Sequence, residues 1–315
     1  MTTKCNLPNF QTEFKVSIIG AGSVGSTAAY SMLLDGRLSE LVLLDHDKKK
    51  AEGIVLDMEH SMCFLDYTRV VGTDDYSAVK NSNLVVITAG ARQLEGETRL
   101  DLIAKNRAIF KQIIPKIVKV APNAILLVVS NPVDVLTYEA YKLSGFPWGR
   151  VFGSGTLLDT ARLRFHISEK LCLSPKSIEA YILGEHGDTS FPVWSSANVA
   201  GKSLAKFDGF GKSAAKECYD ETKNAAYRII HDVGFTCYSI GTVIKEIMNH
   251  IFQHSKIVLP LSVPLENYYG ISGVALSVPC VLDSTGVTDV IKIPLNSLEL
   301  KQLKKSAATL KGYLK

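Results

Sequence analysis

The chain has 315 residues, 46% of them hydrophobic and 21% charged, with a formal net charge of +4. That length suggests one large domain or two lobes around ample core material, and the interleaving of basic with acidic residues gives little support for a nucleic-acid partner. Cys5, Cys63, Cys172, Cys218, Cys237 and Cys280 lie too far apart for a zinc site or a redox dithiol, Met1 to Phe14 lacks the pattern of a targeting segment, and no apolar run reaches the ~20 residues of a membrane helix, so a cytoplasmic protein with neither metal nor membrane partner is expected.

After a polar arm, Lys15 to Ile19 reads as a buried strand running into Gly20-Ala21-Gly22-Ser23-Val24-Gly25, followed by a helix from about Ser26 to Leu34. The next strand, Glu40 to Leu44, ends in Asp45, twenty residues after Gly25. Together these form a dinucleotide-binding fingerprint. Gly20 makes the tight turn, Gly22 admits the pyrophosphate, and Gly25 lets the helix pack against the strand. Ser23 and Val24 stand in the same turn as further cofactor contacts, at a helix start whose N–H groups suit phosphate. Asp45 can accept hydrogen bonds from the adenosine ribose hydroxyls and would repel a 2′-phosphate, so the expected cofactor is NAD rather than NADP. Lys48-Lys49-Lys50 reads as a solvated helix face, with a phosphate site as the alternative.

Strands at Tyr67–Gly72, Leu84–Thr88 and Ala124–Val129, with a helix from about Leu100 to Val120, continue the alternation and predict a parallel, doubly wound sheet. Ligands gather at the C-terminal ends of such strands, where Gly20–Gly25, Ala89–Arg99 and Ser130–Asp134 lie. Ala89–Arg99, polar and glycine-containing, is either a binding loop or a surface connection. Asn131 reads as a buried, ligand-binding asparagine at a strand tip or as part of an ordinary turn with Pro132, whose isomer the sequence leaves open.

Arg150 to Phe152 is expected as a final sheet strand, and Gly153 to Arg164 opens a helix. On it Asp159 and Arg162, three apart, share a face. They form either a surface ion pair or a cleft pair, with Asp159 orienting a histidine and Arg162 presenting its fork to a carboxylate. The histidine is His186, in Leu183-Gly184-Glu185-His186-Gly187-Asp188. Glycines on both sides permit a sharp turn and a close ligand, and imidazole exchanges protons near neutral pH. Helices are expected at Ala214–His231, Cys237–Gln253 and Ser297–Leu314, and antiparallel strands at Lys256–Val263 and Gly273–Leu282. The expected division is an arm at 1–13, a Rossmann NAD-binding domain at 14–154 and an α+β substrate domain at 155–315, with a helix around 237–253 placed to pack back on the first.

Gly20–Gly25, Asp45, Gln93–Arg99, Ser130–Asp134, Asp159-Thr-Ala-Arg162 and Gly184–Asp188 stand in an order and spacing that resembles the L-lactate dehydrogenases of the lactate/malate dehydrogenase family, from about Lys15 to Leu310. The resemblance implies NAD-dependent interconversion of pyruvate and L-lactate. His186 would be the acid–base group, Asp159 its orienting partner and Arg162 the anchor of the substrate carboxylate. Arg99 would polarise the carbonyl, Asn131 would bond to the same centre, Thr236 would line the pocket around the methyl, and Arg92 would lie near the cofactor phosphates. Gln93 takes the position that is arginine in dicarboxylate enzymes. A second carboxylate buried there without a cation would cost several kcal/mol, so pyruvate is expected over oxaloacetate, against the alternative of a malate dehydrogenase.

Several positions depart from the family pattern. Leu94 replaces a polar loop residue, and Tyr238 stands where animal enzymes tend to carry tryptophan. Arg164 matches an arginine of the fructose 1,6-bisphosphate site of activated bacterial relatives, but Glu179 replaces the histidine paired with it, so no such activation is expected. A homotetramer, or failing that a dimer, is implied. All four of His186, Asp159, Arg162 and Arg99 are present, which argues against a binding protein that has lost turnover.

Overall fold

A parallel sheet grows from the first half of the chain because short runs of Val, Ile and Leu alternate with amphipathic helices. The computed structural model describes residues 14–91 and 96–314; the expected arm and the positions Arg92, Gln93 and Leu94 lie outside the described residues. The first-half elements are β1 (Lys15–Ile19), α1 (Ser23–Leu33), β2 (Glu40–Leu44), α2 (Lys48–Glu59), β3 (Arg69–Thr73), β4 (Leu84–Ile87), α3 (Arg99–Val120), β5 (Ile125–Val128), α4 (Val133–Ser144) and β6 (Val151–Gly153). Their strands pair in parallel in the order β3-β2-β1-β4-β5-β6. Successive residues of one strand enter different cores. Ile18, Leu43, Val86 and Leu127 pack with Met32 and Ile247 on one face. Ile19, Val85, Ile87 and Val128 pack with Phe110, Ile114 and Leu136 on the other. Helices on both faces remove any need for polar alternation, which is why these strands read as continuous apolar runs. The strand order reverses between β1 and β4, and the crevice beyond their C-terminal ends is the place where such sheets hold ligands.

The second half supplies α5 (Leu157–Leu171), five two-residue strands β7 (Ile178–Glu179), β8 (Ile182–Leu183), β9 (Phe191–Pro192), β10 (Asn198–Val199) and β11 (Lys202–Ser203), then α6 (Lys212–Val233), α7 (Tyr238–Phe252), β12 (Ile257–Pro264), β13 (Ala275–Asp283), β14 (Gly286–Val290) and α8 (Ser297–Leu314). The antiparallel strands expected from the sequence are β12 and β13. They do not stand apart as a separate sheet: β12 pairs antiparallel with β6 at Ser262 opposite Gly153, and β13 and β14 follow outward. A Cβ at Gly153 would lie 2.4 Å from Thr137 Oγ1 and 3.2 Å from Ser262 Cβ, so the seam closes on a missing side chain. Helix α7 lies against α1, where a Cβ at Gly241 would come 2.8 Å from Thr27 Cγ2.

A second seam joins the β13–β14 turn to the approach of β6. Val287 N donates to Gly149 O at 2.9 Å. Gly149 has φ +85° and its Cβ would lie 1.9 Å from Val287 O. Replacing Gly149 with alanine therefore imposes both left-handed strain and a backbone clash. Gly149→Ala is expected to cost about 2–3 kcal/mol, read as a lower urea midpoint at unchanged slope. An unchanged midpoint would show that this seam yields freely.

Candidate active site

The turn between β1 and α1 is shaped by what side chains would strike. Gly20 has φ +112°, and a Cβ there would lie 2.7 Å from Ala89 N. A Cβ at Gly25 would meet Gly20 O at 1.9 Å, so the helix presses directly on the turn. Gly22 differs: no atom of the described residues lies within 4 Å of its Cβ position. It faces open space, with room for a group that needs backbone contact. Helix α1 has neither a capping side chain at Gly22 nor an acidic residue in its first turn, an arrangement suited to a phosphate.

Asp45, at the end of β2, is 7% exposed. Its Oδ2 accepts from Ala21 N at 2.6 Å and its Oδ1 from Asp47 N at 3.0 Å, with His46 Nδ1 2.7 Å away. Burial pushes this carboxyl up, but the two backbone N–H groups and the charges of His46 and Lys50 outweigh it and hold the pKa below the usual carboxylate range. Asp45 is thereby favoured in its ionised form, and it ties the glycine turn to the end of β2.

Around 250 Å³ of cleft lies beyond the strand ends, lined by Arg99, Asn131, Asp159, Arg162 and His186 together with residues of α6. His186 follows β8 through Gly184, whose φ is +95° and whose Cβ would lie 2.6 Å from Ser306 Oγ. The His186 backbone N–H donates to Asp134 Oδ2 at 2.7 Å, and its ring Nδ1 meets Asp159 Oδ2 at 2.6 Å. With Nδ1 committed to a carboxylate, Nε2 is the nitrogen available for proton exchange in the cleft. The other Asp159 oxygen is 3.3 Å from Arg162 Nη1. Asp159 and Arg162 thus form an i,i+3 ion pair, but one that is largely buried in the cleft wall rather than on the surface, with Asp159 also on His186.

Electrostatics follow from this arrangement. The Asp159 charge raises the His186 pKa against the opposing effect of burial, helped by their hydrogen bond and by Asp134. Burial acts to raise Asp159, but the His186 charge and hydrogen bond, with Arg162, prevail and hold it low. Asp134, 2% exposed, is pushed up to about 6 by burial even though Ser262 Oγ donates to it at 2.6 Å.

Arg99 is the first residue of α3, behind a capping box in which Thr98 and Asp101 bond each other's backbone N–H. Its Nη2 donates to Glu185 Oε1. Asn131 is exposed to the cleft rather than buried; its peptide bond to Pro132 is cis. Thr236 lies half-buried in the α6–α7 connection and is not among the residues lining the cleft. Arg92 and Gln93 fall outside the described residues.

Three features escaped the sequence reading. Glu185, 1% exposed, demanded a cationic partner simply by being a buried carboxylate. Asn106, fully buried on α3, accepts from Ala91 N at 2.7 Å and donates to Asn131 O at 2.7 Å, tying two strand-end loops together. Tyr219, Thr222, Lys223, Ala226, Tyr227 and Ile230 line the cleft from α6; their three- and four-residue spacing was a legible helical stripe.

Comparison with known proteins gives a consistent result. Residues 14–153 match the family model for the lactate/malate dehydrogenase NAD binding domain, and residues 156–315 that for the lactate/malate dehydrogenase alpha/beta C-terminal domain. The chain is 46% identical over 305 residues to an L-lactate dehydrogenase of Clostridium botulinum (strain 657 / Type Ba4), covering 95% of this chain and 96% of that one. It is 44% identical over 306 residues to an L-lactate dehydrogenase of Acetivibrio thermocellus, covering 96% of each. Among solved structures, it is similar to MGS-M5, a lactate dehydrogenase from a Medee basin deep-sea metagenome library, with a TM-score of 0.92 at 42% identity over 96% of this chain and 98% of that one. The minor L-lactate dehydrogenase of Enterococcus mundtii, in a ligands-bound form, also gives a TM-score of 0.92, at 38% identity over 96% and 98% of the two chains.

The raised His186 and lowered Asp159 define two pH windows. The His186 contribution to stability is complete below its unfolded value of 6.5 and is lost as pH rises through the higher folded value. The Asp159 contribution is present above 3.8 and is lost as pH falls through the lower folded value. Asp159→Asn is expected to move the His186 titration midpoint downward, followed by NMR of the ring protons. A midpoint that stays put would show that Asp159 does not control the imidazole.

Proposed function

The chain belongs to the lactate/malate dehydrogenase family, and from that membership we propose that it is an NAD-dependent L-lactate dehydrogenase, interconverting pyruvate and L-lactate. The observation that carries this reading is the His186–Asp159–Arg162 constellation in one cleft with Arg99 and Asn131. The L-lactate dehydrogenases to which the chain is similar support the substrate.

The glycine turn fits NAD: an open cradle at Gly22, close contacts at Gly20 and Gly25, and an ionised Asp45 at the second strand. When bound, NAD supplies the two-electron oxidant or reductant. Gly20–Gly25, with Ser23 and Val24, hold its pyrophosphate, Asp45 its ribose, and Arg92 the vicinity of its phosphates.

His186 Nε2 takes the hydroxyl proton of lactate in one direction and returns it to the carbonyl oxygen of pyruvate in the other. Asp159 fixes Nδ1 as the protonated nitrogen and stabilises the imidazolium. Arg162 pairs with the substrate carboxylate. Arg99 and Asn131 direct donors at the oxygen where negative charge grows. Thr236, which is not in the described lining of the cleft, is assigned to the methyl from the family resemblance alone, and Gln93 offers no charge to a second carboxylate. We assign NAD binding to residues 14–154 and the substrate side to 155–315, and place the enzyme in the cytoplasm as a homotetramer, with a dimer as the alternative.

The test is NADH oxidation with pyruvate and oxaloacetate side by side. Pyruvate is expected to be preferred about 100-fold or more in kcat/KM, ~3 kcal/mol in transition-state binding. A preference for oxaloacetate would overturn the role of Gln93, and no turnover with either substrate would overturn the activity.

Fructose 1,6-bisphosphate is a second discriminating ligand. Arg164 donates from Nε to Ala180 O at 3.0 Å, and its guanidinium carbon lies 5.3 Å from the centroid of the Tyr181 ring. Glu179 is exposed nearby and accepts from Asn198. With a carboxylate at that position, adding the bisphosphate is expected to leave the KM for pyruvate unchanged; a severalfold drop would refute this.

A further inference from the structure

We infer that Glu185 parks Arg99, so that a substrate anion engages Arg99 only by displacing the Glu185 carboxylate, and that helix α8 helps set how firmly Arg99 is parked. This inference rests on the reading of the cleft as a pyruvate site. It makes Glu185 a positioning residue, since it acts through Arg99.

Four observations converge on it. Arg99 lines the cleft, yet its Nη2 is spent on Glu185 Oε1. The contact passes across Gly187, whose Cβ would lie 2.9 Å from Arg99 Nη2 and 3.0 Å from Glu185 Oε1. Any larger residue at 187 would occupy the space where the two groups meet.

The parked contact is also incomplete. A guanidinium can make two parallel bonds to a carboxylate, but Arg99 Nε is buried with no hydrogen-bond partner among the described residues. An arrangement that leaves a buried donor unsatisfied is one from which the fork gains by moving to a better acceptor.

Glu185, by contrast, is held from behind. Its Oε2 accepts from Thr189 Oγ1. Ser306 Oγ, on α8, lies 2.9 Å from Thr189 Oγ1, donates to Thr189 O at 2.6 Å and accepts from Glu185 N at 3.3 Å. When Arg99 departs, Glu185 keeps the Thr189 hydroxyl. Helix α8 reaches Arg99 itself as well, with the Tyr313 ring centroid 5.5 Å from the guanidinium carbon. Two α8 residues thus support the parked state, one at each end of the ion pair.

Parking lowers apparent affinity, because a site competent for only part of the time binds more weakly by that fraction. A parked population of about 70–90% would weaken substrate binding by about 3- to 10-fold, and removing the Glu185 charge should recover that factor. The experiment measures NADH-dependent pyruvate reduction and the binding of oxamate, the amide isostere of pyruvate, by wild type, E185Q, R99Q and the double variant. Wild-type turnover of pyruvate comes first; its absence would overturn the functional reading and the parking together.

With turnover established, E185Q is expected to tighten oxamate and lower the KM for pyruvate by about 3- to 10-fold, while in the R99Q background the same change has no effect. Unchanged or weaker oxamate binding by E185Q overturns the inference, as does an equal effect with and without Arg99. Should E185Q not fold, Tyr313→Leu provides the reading from outside the cleft. It should tighten oxamate in the same direction, and no shift overturns the parking.

Discussion

The 2.6 Å contact between His186 Nδ1 and Asp159 Oδ2 is the interaction to which the surrounding architecture is fitted. Its two members lie on different elements, a turn after β8 and the first turn of α5, so a small slip between them would break it. Three buried hydrogen bonds oppose such a slip. Thr160 Oγ1 accepts from Ile182 N at 2.9 Å, Thr156 Oγ1 donates to Ile182 O at 2.5 Å, and Thr156 N donates to Ser277 Oγ at 3.1 Å. Two of these bolt the helix that carries Asp159 to the strand that precedes His186, from three residues before Asp159 and one after it, and the third ties the start of that helix to β13. Such bonds fix the relative placement of the two side chains, the kind of control on which closely oriented groups depend.

Asp134 extends the same scaffold across the two halves of the chain. It comes from the start of α4, accepts from the His186 backbone and receives the Ser262 hydroxyl from β12. Ser262 is also the residue that faces Gly153 across the seam where antiparallel strands join the parallel sheet. One buried carboxylate therefore touches the turn that carries His186 and the junction between the halves. A charge so enclosed is costly unless paired and hydrogen-bonded, and its pKa, pushed up to about 6, records that cost. Between the ordinary carboxylate value of 3.8 and that raised value the folded state retains a proton that the unfolded state has released, so this group makes stability fall as pH rises.

Legibility in the sequence followed the locality of the interactions. The turn from Gly20 to Gly25 was readable because Gly20 and Gly25 answer contacts within their own unit or beside the adjacent strand, while Gly22 marks the position left open. The long helices were readable from their periodicity, with α3, α7 and α8 falling within a residue of their expected ends. The continuation of the parallel sheet by β12–β14 was not, because strand pairing between residues more than a hundred positions apart leaves no local mark. Asn131 was open to two readings, a buried residue at a strand tip or part of a turn with Pro132; its side chain is exposed to the cleft, next to a cis bond to Pro132. Glu185 was visible in the motif, but the identity of its partner depended on how α3 begins.

The double commitment of Asp45 has a consequence for redesign of cofactor choice. Exchanging an acid at this position for a small neutral residue is the obvious way to admit a 2′-phosphate. Here the same carboxylate accepts from the Ala21 amide at 2.6 Å, inside the glycine turn itself. A substitution that discards both acceptors would leave that amide unanswered and loosen the cradle meant to receive the new dinucleotide. Asparagine, a neutral side chain of the same reach that still offers an oxygen to Ala21, separates the two duties: it removes the repulsion and keeps the acceptor for that amide.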